Sequence, residues 1–457
     1  MLLTACLILF SILTGRYLAA VKKSHEGPTI TSPEYLKKYP QNTADTISLQ
    51  WSYKHFDEIK SPIISPDGKF ILFLTTMNDK QTLVCLNSEG EKKWSYSDFK
   101  RIDAPPHIKL RNNFILVYWA CPPGNVEDLR QGQHWSFYVF NIEGKLLWDK
   151  TVWGIPHFTD SGKTILVSTY TRTLYEGDKD LKNEKCVDPI VRIAGGGDAL
   201  DYDVRGKSLR CDAPTGKCSE ISLRGIEDIS ENSSYLLTSC IGKTALYNKS
   251  YKALFDTKDS GYARLSPDNT YFVIRKHKKG VSHDEVIVHD MQGSLLWRKP
   301  FPRYFPNWEG IQRSDEGVVP LLNGYLGVIT AKYNEHTGMI SNMDVTLYIT
   351  DPAGNIVKKI MRVDDFLVDI VAASSRTEYI YVVGIAQKDR EVRGSLGIKT
   401  THHVNRLYRI DYKGKVLGRS GEIIGLSEMS MLAPADASDA VIAATRWTLY
   451  YFKRNPQ

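Results

Sequence analysis

The chain has 457 residues, 59 basic and 52 acidic, for a formal net charge of +7, with 11% aromatic residues, 33 Gly and 20 Pro. Its charge is spread along the whole length with no basic block beyond short runs such as Arg275-Lys276-His277-Lys278-Lys279, which excludes the basic stripe and interleaved aromatics of a nucleic-acid reader. Plentiful Gly, Pro and aromatics suit many short strands joined by turns, and no long helical period competes with that reading.

Leu2 to Leu13 is a nearly continuous apolar run, followed by Thr14-Gly15-Arg16-Tyr17-Leu18-Ala19-Ala20 and Lys22-Lys23. Residues 1–21 therefore read as a secretory signal peptide or as an uncleaved membrane anchor. The run has the length of a secretory h-region ending near small residues, and Leu2 to Val21 just reaches spanning length. Leu3-Thr4-Ala5-Cys6 resembles a bacterial lipobox, although the apolar run continues past Cys6. Residues 22–46 carry Pro28, Pro33 and Pro40 and read as an extended leader. The expected address is export to the periplasm, the cell envelope or the exterior, with membrane association through the N-terminal segment.

From residue 47 to 457 one phrase keeps returning: a short apolar strand, a polar turn, then a strand that often ends in Trp. It spans Leu83 to Trp94, Phe137 to Trp148 and Val286 to Trp297. A unit this small cannot bury its own apolar face, so recurrence at intervals of about 40 to 60 residues implies stacked neighbours. A second turn shares the same phase. Ser65-Pro66-Asp67-Gly68 presets φ at Pro, offers a carboxylate to a backbone amide and places Gly in the left-handed region. Weaker copies are Ser266-Pro267-Asp268-Asn269 and Ser230-Glu231-Asn232-Ser233.

End-strands are expected at Lys92 to Tyr96, Lys145 to Asp149, Lys207 to Arg210, Tyr251 to Asp256, Ser294 to Arg298, Asn355 to Ile360 and Lys415 to Arg419. An eighth unit starts near Ile424 and stops at Trp447 to Lys453 without a final strand. Ile47-Ser48-Leu49-Gln50-Trp51-Ser52-Tyr53 resembles the missing piece, so an N-terminal strand is expected to join the C-terminal blade and close a ring. The expected fold is all-β: a single β-propeller of eight blades. Seven is the alternative, because the third unit, Ile155 to Arg210, is irregular and contains Ala194-Gly195-Gly196-Gly197. Trp51, Trp94, Trp148 and Trp297 fall at equivalent positions and read as wedge-filling core.

Removal of Cys6 with a signal would leave Cys85, Cys121, Cys186, Cys211, Cys218 and Cys240. The ends of the compact turn from Cys211 to Cys218 would meet, so this pair is the candidate disulfide, a staple that belongs in an oxidising compartment. Cys85, within a strand among Leu and Val, reads as a buried free thiol.

The hairpins Leu83 to Trp94, Phe137 to Trp148 and Val286 to Trp297, with the Ser-Pro-Asp-Gly turn, resemble the β-propellers of the PQQ-like (quinoprotein-like) repeat and WD40-like group over most of residues 47 to 453. That group includes quinone-dependent dehydrogenases as well as outer-membrane assembly scaffolds without enzymatic activity. The dehydrogenases carry a vicinal Cys pair over the cofactor, and this chain has no adjacent cysteines. No catalytic residue, cofactor site or metal site is assigned.

His402-His403 would share an ion only in a loop, because adjacent strand residues point to opposite sides. His107 and His157 are the candidate channel-facing residues, each following a Pro where an innermost strand nears the axis. Polar insertions at Cys121 to His134, Glu176 to Pro189, Lys279 to Asp284, Asn334 to Asp344 and Gln387 to Val404 are the expected binding surface, since equivalent loops of stacked repeats share one side. The leading expectation is a non-catalytic exported propeller that binds a protein partner through these loops at an envelope or membrane-associated complex. The alternative is an enzyme or small-molecule binder using the central channel, either a divergent quinoprotein-like oxidoreductase or a hydrolase or lyase.

Overall fold

The structure is a computed structural model. It describes residues 30–31 and, within 47–454, all but 56, 78–79, 101–105, 122–133, 154, 159–162, 169–207, 222, 224, 231, 241–242, 278–281, 303–316, 333–343, 374–376, 387–389, 394–398, 426–430 and 436–437. Residues 1–21, Cys6, Cys186, the Gly195 to Gly197 stretch and most of the leader lie outside the described residues.

Eight antiparallel sheets follow one another along the chain. Their strands, lettered a to d in the order of the meander, run as follows. Blade 1 is Lys60–Ile64, Phe70–Met77, Lys80–Asn87 and Lys92–Tyr96; blade 2 is His107–Arg111, Phe114–Ala120, His134–Asn141 and Leu146–Trp153. Blade 3 is Ile155–Phe158, Thr164–Ser168, Ser208–Asp212 and Cys218–Ile221; blade 4 is Ile226–Ile229, Tyr235–Cys240, Lys243–Asn248 and Ala253–Thr257. Blade 5 is Tyr262–Leu265, Tyr271–His277, His283–Asp290 and Leu295–Pro302; blade 6 is Val318–Pro320, Leu326–Lys332, Asp344–Thr350 and Ile356–Ile360. Blade 7 is Phe366–Ala373, Tyr379–Ala386, Lys399–Asp411 and Val416–Arg419. Blade 8 takes Met431–Pro434, Ala440–Ala444 and Thr448–Arg454 from the C-terminus and borrows Ile47–Lys54 as its fourth strand.

That borrowed strand closes the ring. Ile47 pairs with Arg454 and Tyr53 with Leu449, so the terminal hairpin has no open edge toward the N-terminal strand. The leader contributes more than the expected extended segment, because Ile30–Thr31 adds a fifth strand outside Trp51 and Ser52.

Two boundaries differ from the sequence reading. Ser208–Asp212 is the third strand of blade 3, and the outer strand is Cys218–Ile221, whose polar residues the end-strand pattern does not flag. Ile423–Gly425 pairs with the long third strand of blade 7, so blade 8 begins only at Met431. Seven blades would have required merging the irregular third unit; its four strands form a sheet of their own.

The core is a set of wedges between blades. Each of eight buried clusters joins one blade to the next: Ile71 and Phe73 of blade 1 pack with Ala440 and Ile442 of blade 8, and Tyr381 and Val383 of blade 7 with Val441 and Phe452. Middle strands are sealed on both faces, which is why Ile71-Leu72-Phe73-Leu74 and Leu83-Val84-Cys85-Leu86 are unbroken apolar runs. Outer strands alternate, as in Lys92–Tyr96.

Each recurring ring is also a joint. The Trp94 indole N–H of blade 1 donates to the Ile142 carbonyl in the turn of blade 2 (3.0 Å), Trp148 donates to Ala213 of blade 3 (2.6 Å), and Trp51 of blade 8 to Ser88 of blade 1 (2.8 Å). The ring lies on a left-handed glycine of that next turn: a methyl added at Gly144 (φ 86°) would overlap the Trp94 ring. Gly293 and Gly354 face Phe255 and Trp297 in the same way. In blade 3 the ring position holds Glu220, and the facing turn residue in blade 4 is then Tyr251 rather than glycine, still at φ 63°. Glycine is thus required by the neighbour's ring as well as by the turn.

Candidate functional site: the insertion-bearing end and the channel

In a four-stranded meander the a–b and c–d turns emerge at one end and the b–c and d–a connections at the other. The a–b and c–d turns are short and repeat one chemistry. In three blades the Ser at the turn's start takes the amide of the residue five positions on through its hydroxyl: Phe70 to Ser65 (2.9 Å), Tyr235 to Ser230 (3.0 Å) and Tyr271 to Ser266 (3.0 Å). Tyr412 of blade 7 accepts from the Leu322 amide of blade 6 (3.2 Å), and Tyr451 of blade 8 reaches the Gly68 carbonyl of blade 1 (3.4 Å).

The long connections all leave at the opposite end. Ala120 to His134, Ser168 to Ser208, His277 to His283, Lys332 to Asp344 and Ala386 to Lys399 are b–c connections, and Pro302 to Val318 is a d–a connection. They overlap every insertion expected from sequence, although Asp284 and residues 400–404 of those expectations lie in strands. In blade 7 part of the insertion is itself paired, with Arg390–Arg393 against Lys399 to His402, so the third strand runs 13 residues. His402 stands opposite Arg390 and His403 opposite Gly425, in a strand rather than the loop that a shared ion would need. Trp447, in the b–c turn of blade 8, belongs to this same end and is 40% exposed, with the Arg446 guanidinium 5.3 Å from its ring.

One buried joint fixes this end. Arg275 Nε donates to Asp284 Oδ2 (2.8 Å), both side chains being almost fully buried, while its Nη1 donates to the carbonyls of Gly317 (2.6 Å) and Ile329 (2.8 Å). A single guanidinium thereby ties blade 5 to the connection and second strand of blade 6.

First strands of successive blades lie against one another from blade 7 through 8 to 2 and from 3 to 6, which places them around the axis. His107 opens the first strand of blade 2, with its ring stacked on Tyr118 (centroids 5.1 Å) and Lys109 over the same ring (5.4 Å). Burial, aided by Lys109, pulls the His107 pKa down to about 4. His157, on the first strand of blade 3, is also held well below the usual range, by burial first and then by Lys109 and Arg264. Its Nε2 is sealed from solvent without a hydrogen-bond partner. Both imidazoles are neutral at physiological pH, and neither is tuned to the near-neutral pKa that general acid–base work favours.

Cys211 and Cys218 are joined by a disulfide across the c–d turn of blade 3, with Cα atoms 4.0 Å apart. Cys85 is free and buried, and burial pushes its thiol up to about 12, leaving it inert as a nucleophile. Among the described residues no three His, Cys, Asp or Glu come together as a metal ion would require, and no helix is long and apolar enough to cross a membrane. Sequence reasoning misses Arg275, which reads as part of a charge run, and Trp447, which lacks the following turn that marks the other tryptophans.

No protein-family model matches the chain, and no curated protein sequence matches it. Solved structures do share its shape. The C-terminal WD40 domain of Sif2 aligns with a TM-score of 0.51 at 10% identity, covering 91% of this chain and 100% of that one. A computationally designed protein, Ika8, gives 0.44 at 11% identity over 88% and 97%, and an uncharacterized protein of Listeria monocytogenes 0.43 at 10% over 80% and 95%. The chain is an eight-bladed β-propeller with the fold of the WD40-like group. At these identities the likeness concerns the fold.

Proposed function

We propose that the protein is a non-catalytic, exported propeller that binds a protein partner through its insertion-bearing end, as a scaffold subunit of an envelope or membrane-associated complex. The observation that carries this reading is that the strands flanking the long b–c and d–a connections all end at one face of the ring. Variable loops on a fixed scaffold are the usual place for recognition, and WD40-type propellers as a class mediate protein interactions. Trp447 adds an exposed aromatic anchor of the type enriched at binding hot spots. Export is supported by the apolar run at Leu2 to Leu13 and by the Cys211–Cys218 bridge, which belongs in an oxidising compartment.

A photo-crosslinker at position 447 in living cells tests the partner, with one at position 219, on the outer strand of blade 3, as the control. A discrete adduct from 447 alone, lost on shortening the 387–404 insertion, is the expected result. Equal labelling from both positions, or none, removes the reading. Rapid acid quench and alkylation of intact cells tests the compartment: Cys211 and Cys218 should resist alkylation until reduced, and prompt labelling would place the protein in a reducing space.

A channel-binding function is the second reading, favoured by one observation: Lys109, Arg264 and the unpartnered His157 Nε2 lie near one another on first strands of blades 2, 5 and 3. Absorbance and elemental analysis of purified protein test it. A stoichiometric chromophore or calcium would favour this reading over the scaffold.

A further inference from the structure

The end opposite the insertions carries a feature that partner binding at the insertions does not use. After each c–d turn come two residues on the rim of the ring. In blade 1 they are Lys92-Lys93, in blade 3 Cys218-Ser219 and in blade 2 Leu146-Leu147, both partly covered; in four consecutive blades they are apolar and exposed: Ala253-Leu254, Leu295-Leu296, Ile356-Val357 and Val416-Leu417. Each of these seven larger aliphatics is exposed, Leu295 at 52% and Ile356 at 51%. Scattered exposed aliphatics need no explanation, but the same two positions exposed in four adjacent blades form an arc.

The same hairpins present exposed Lys249, Lys252, Lys358, Lys359, Lys413 and Lys415. Their carboxylates are engaged within the fold. Asp290 accepts the Gln292 and Ser294 amides (2.9 and 2.8 Å), Asp351 the Asn355 amide (2.7 Å) and Asp411 the Lys413 and Lys415 amides (2.9 and 2.8 Å). Asp256 is paired with Lys243 (2.7 Å). These amide bonds leave the carboxylates charged, but the six lysines outnumber Asp290, Asp351 and Asp411 by three and the Asp256–Lys243 pair cancels, so the c–d hairpins of the arc carry a net positive charge.

Composition separates two kinds of occupant. Cores of protein interfaces are enriched in aromatics and depleted in Lys. Single pairs of Leu, Ile and Val set among lysines match an interfacial membrane surface, in which aliphatics enter the headgroup boundary and ammonium groups meet lipid phosphates. Short turns at this end let the rim approach a flat surface. We propose that blades 4 to 7 dock the turn end of the propeller on an anionic lipid bilayer, with the insertion-bearing end facing the aqueous side. This docking stands whether or not the insertions bind a protein.

The test uses the full chain and vesicles of equal parts phosphatidylglycerol and phosphatidylcholine, so that any contribution of the N-terminal segment is common to every variant. Combining Leu296→Ser, Val357→Ser and Leu417→Ser should lower partitioning about tenfold or more, since each aliphatic is half-buried at best on docking. Lys358→Glu with Lys413→Glu should lower it by about tenfold or more, as should raised salt for the parent protein. A polarity-sensitive dye on Leu296→Cys should shift to the blue with these vesicles, and the same dye on Trp447→Cys should not. Unchanged partitioning of the aliphatic variant overturns the proposal. So does a dye at 296 that is already in an apolar setting before vesicles are added, which would mean that the leader or a second copy covers the arc, or one that responds to a purified protein partner and not to vesicles.

Discussion

The two ends of the ring obey opposite rules. At the turn end the same joints recur: a Ser hydroxyl caps the a–b turn in three blades, an aromatic ring lies on a left-handed glycine of the next blade at four joints, and three indoles donate to the neighbouring turn's carbonyl. At the insertion end the connections run from the tight Met77 to Lys80 turn to the long Ser168 to Ser208 passage, and what fixes blade 5 to blade 6 is a single unrepeated Arg275 network. Repetition helps to close a ring because like contacts recur from joint to joint; the other end is then free to vary without loosening it.

The sharpest way to break this contrast is at its one exception. Arg275→Met leaves the Asp284 carboxylate buried without its cation and strands two carbonyls, so unfolding should become easier by about 3–5 kcal/mol. Denaturant titration reads it. A loss below about 1 kcal/mol would mean that the buried wedge of Val273, Val286, Phe301, Val318 and Val328 holds blades 5 and 6 together without the Arg275 network.

The repeated joints predict a graded series. Gly144→Ala places a methyl against the rigid Trp94 ring at a left-handed φ, for a loss of about 3 kcal/mol. Gly414 has a similar φ of 76°, but its neighbour is the flexible Lys358 stem, so Gly414→Ala should cost only about 1 kcal/mol. Trp94→Ala with Gly144→Ala should cost less than the sum of the two, because the clash disappears with the ring. Strict additivity would show that the glycine serves its own turn and not the neighbouring ring.

An effect of at most about 3 kcal/mol belongs to the first strand of blade 2. His107 has a folded pKa of about 4 against an ordinary value of 6.5. The unfolded chain therefore takes up the proton first, and stability that is complete above pH 6.5 erodes as pH falls toward 4. Urea midpoints across this range should slope less for His107→Gln than for the parent. An identical slope would place His107 in water rather than under the ring.

Much of this contrast is legible in the sequence, and what is missing has physical causes. Strand phase, the ring closed by Ile47–Lys54 and the one-sided insertions follow from a period that repeats in the apolar runs and turns. Blade 3 escapes the pattern because Cys218–Ile221 is a short, polar outer strand, and nothing in its letters says that it is paired. Arg275 is hidden for the opposite reason: its partners Gly317 and Ile329 are backbone carbonyls far along the chain, and a carbonyl leaves no mark in a sequence. The rim pairs are visible as letters, yet Leu295-Leu296 reads as core until the strand is known to be outermost.

The smallest expected effect tests the freedom of the insertion end directly. Arg390–Arg393 and the start of Lys399–Asp411 pair only with each other, beyond the sheet that Asn405 to Asp411 forms with Tyr379–Ile385. Replacing residues 388–401 by an Asn-Gly turn removes this outlying hairpin and shortens a connection, and loop-closure entropy changes only slowly with length. Stability should stay within about 1 kcal/mol of the parent while a crosslinked partner at position 447 is weakened or lost. A drop of several kcal/mol would show that the hairpin braces blade 7, and the insertion end would then share with the turn end the work of holding the ring together.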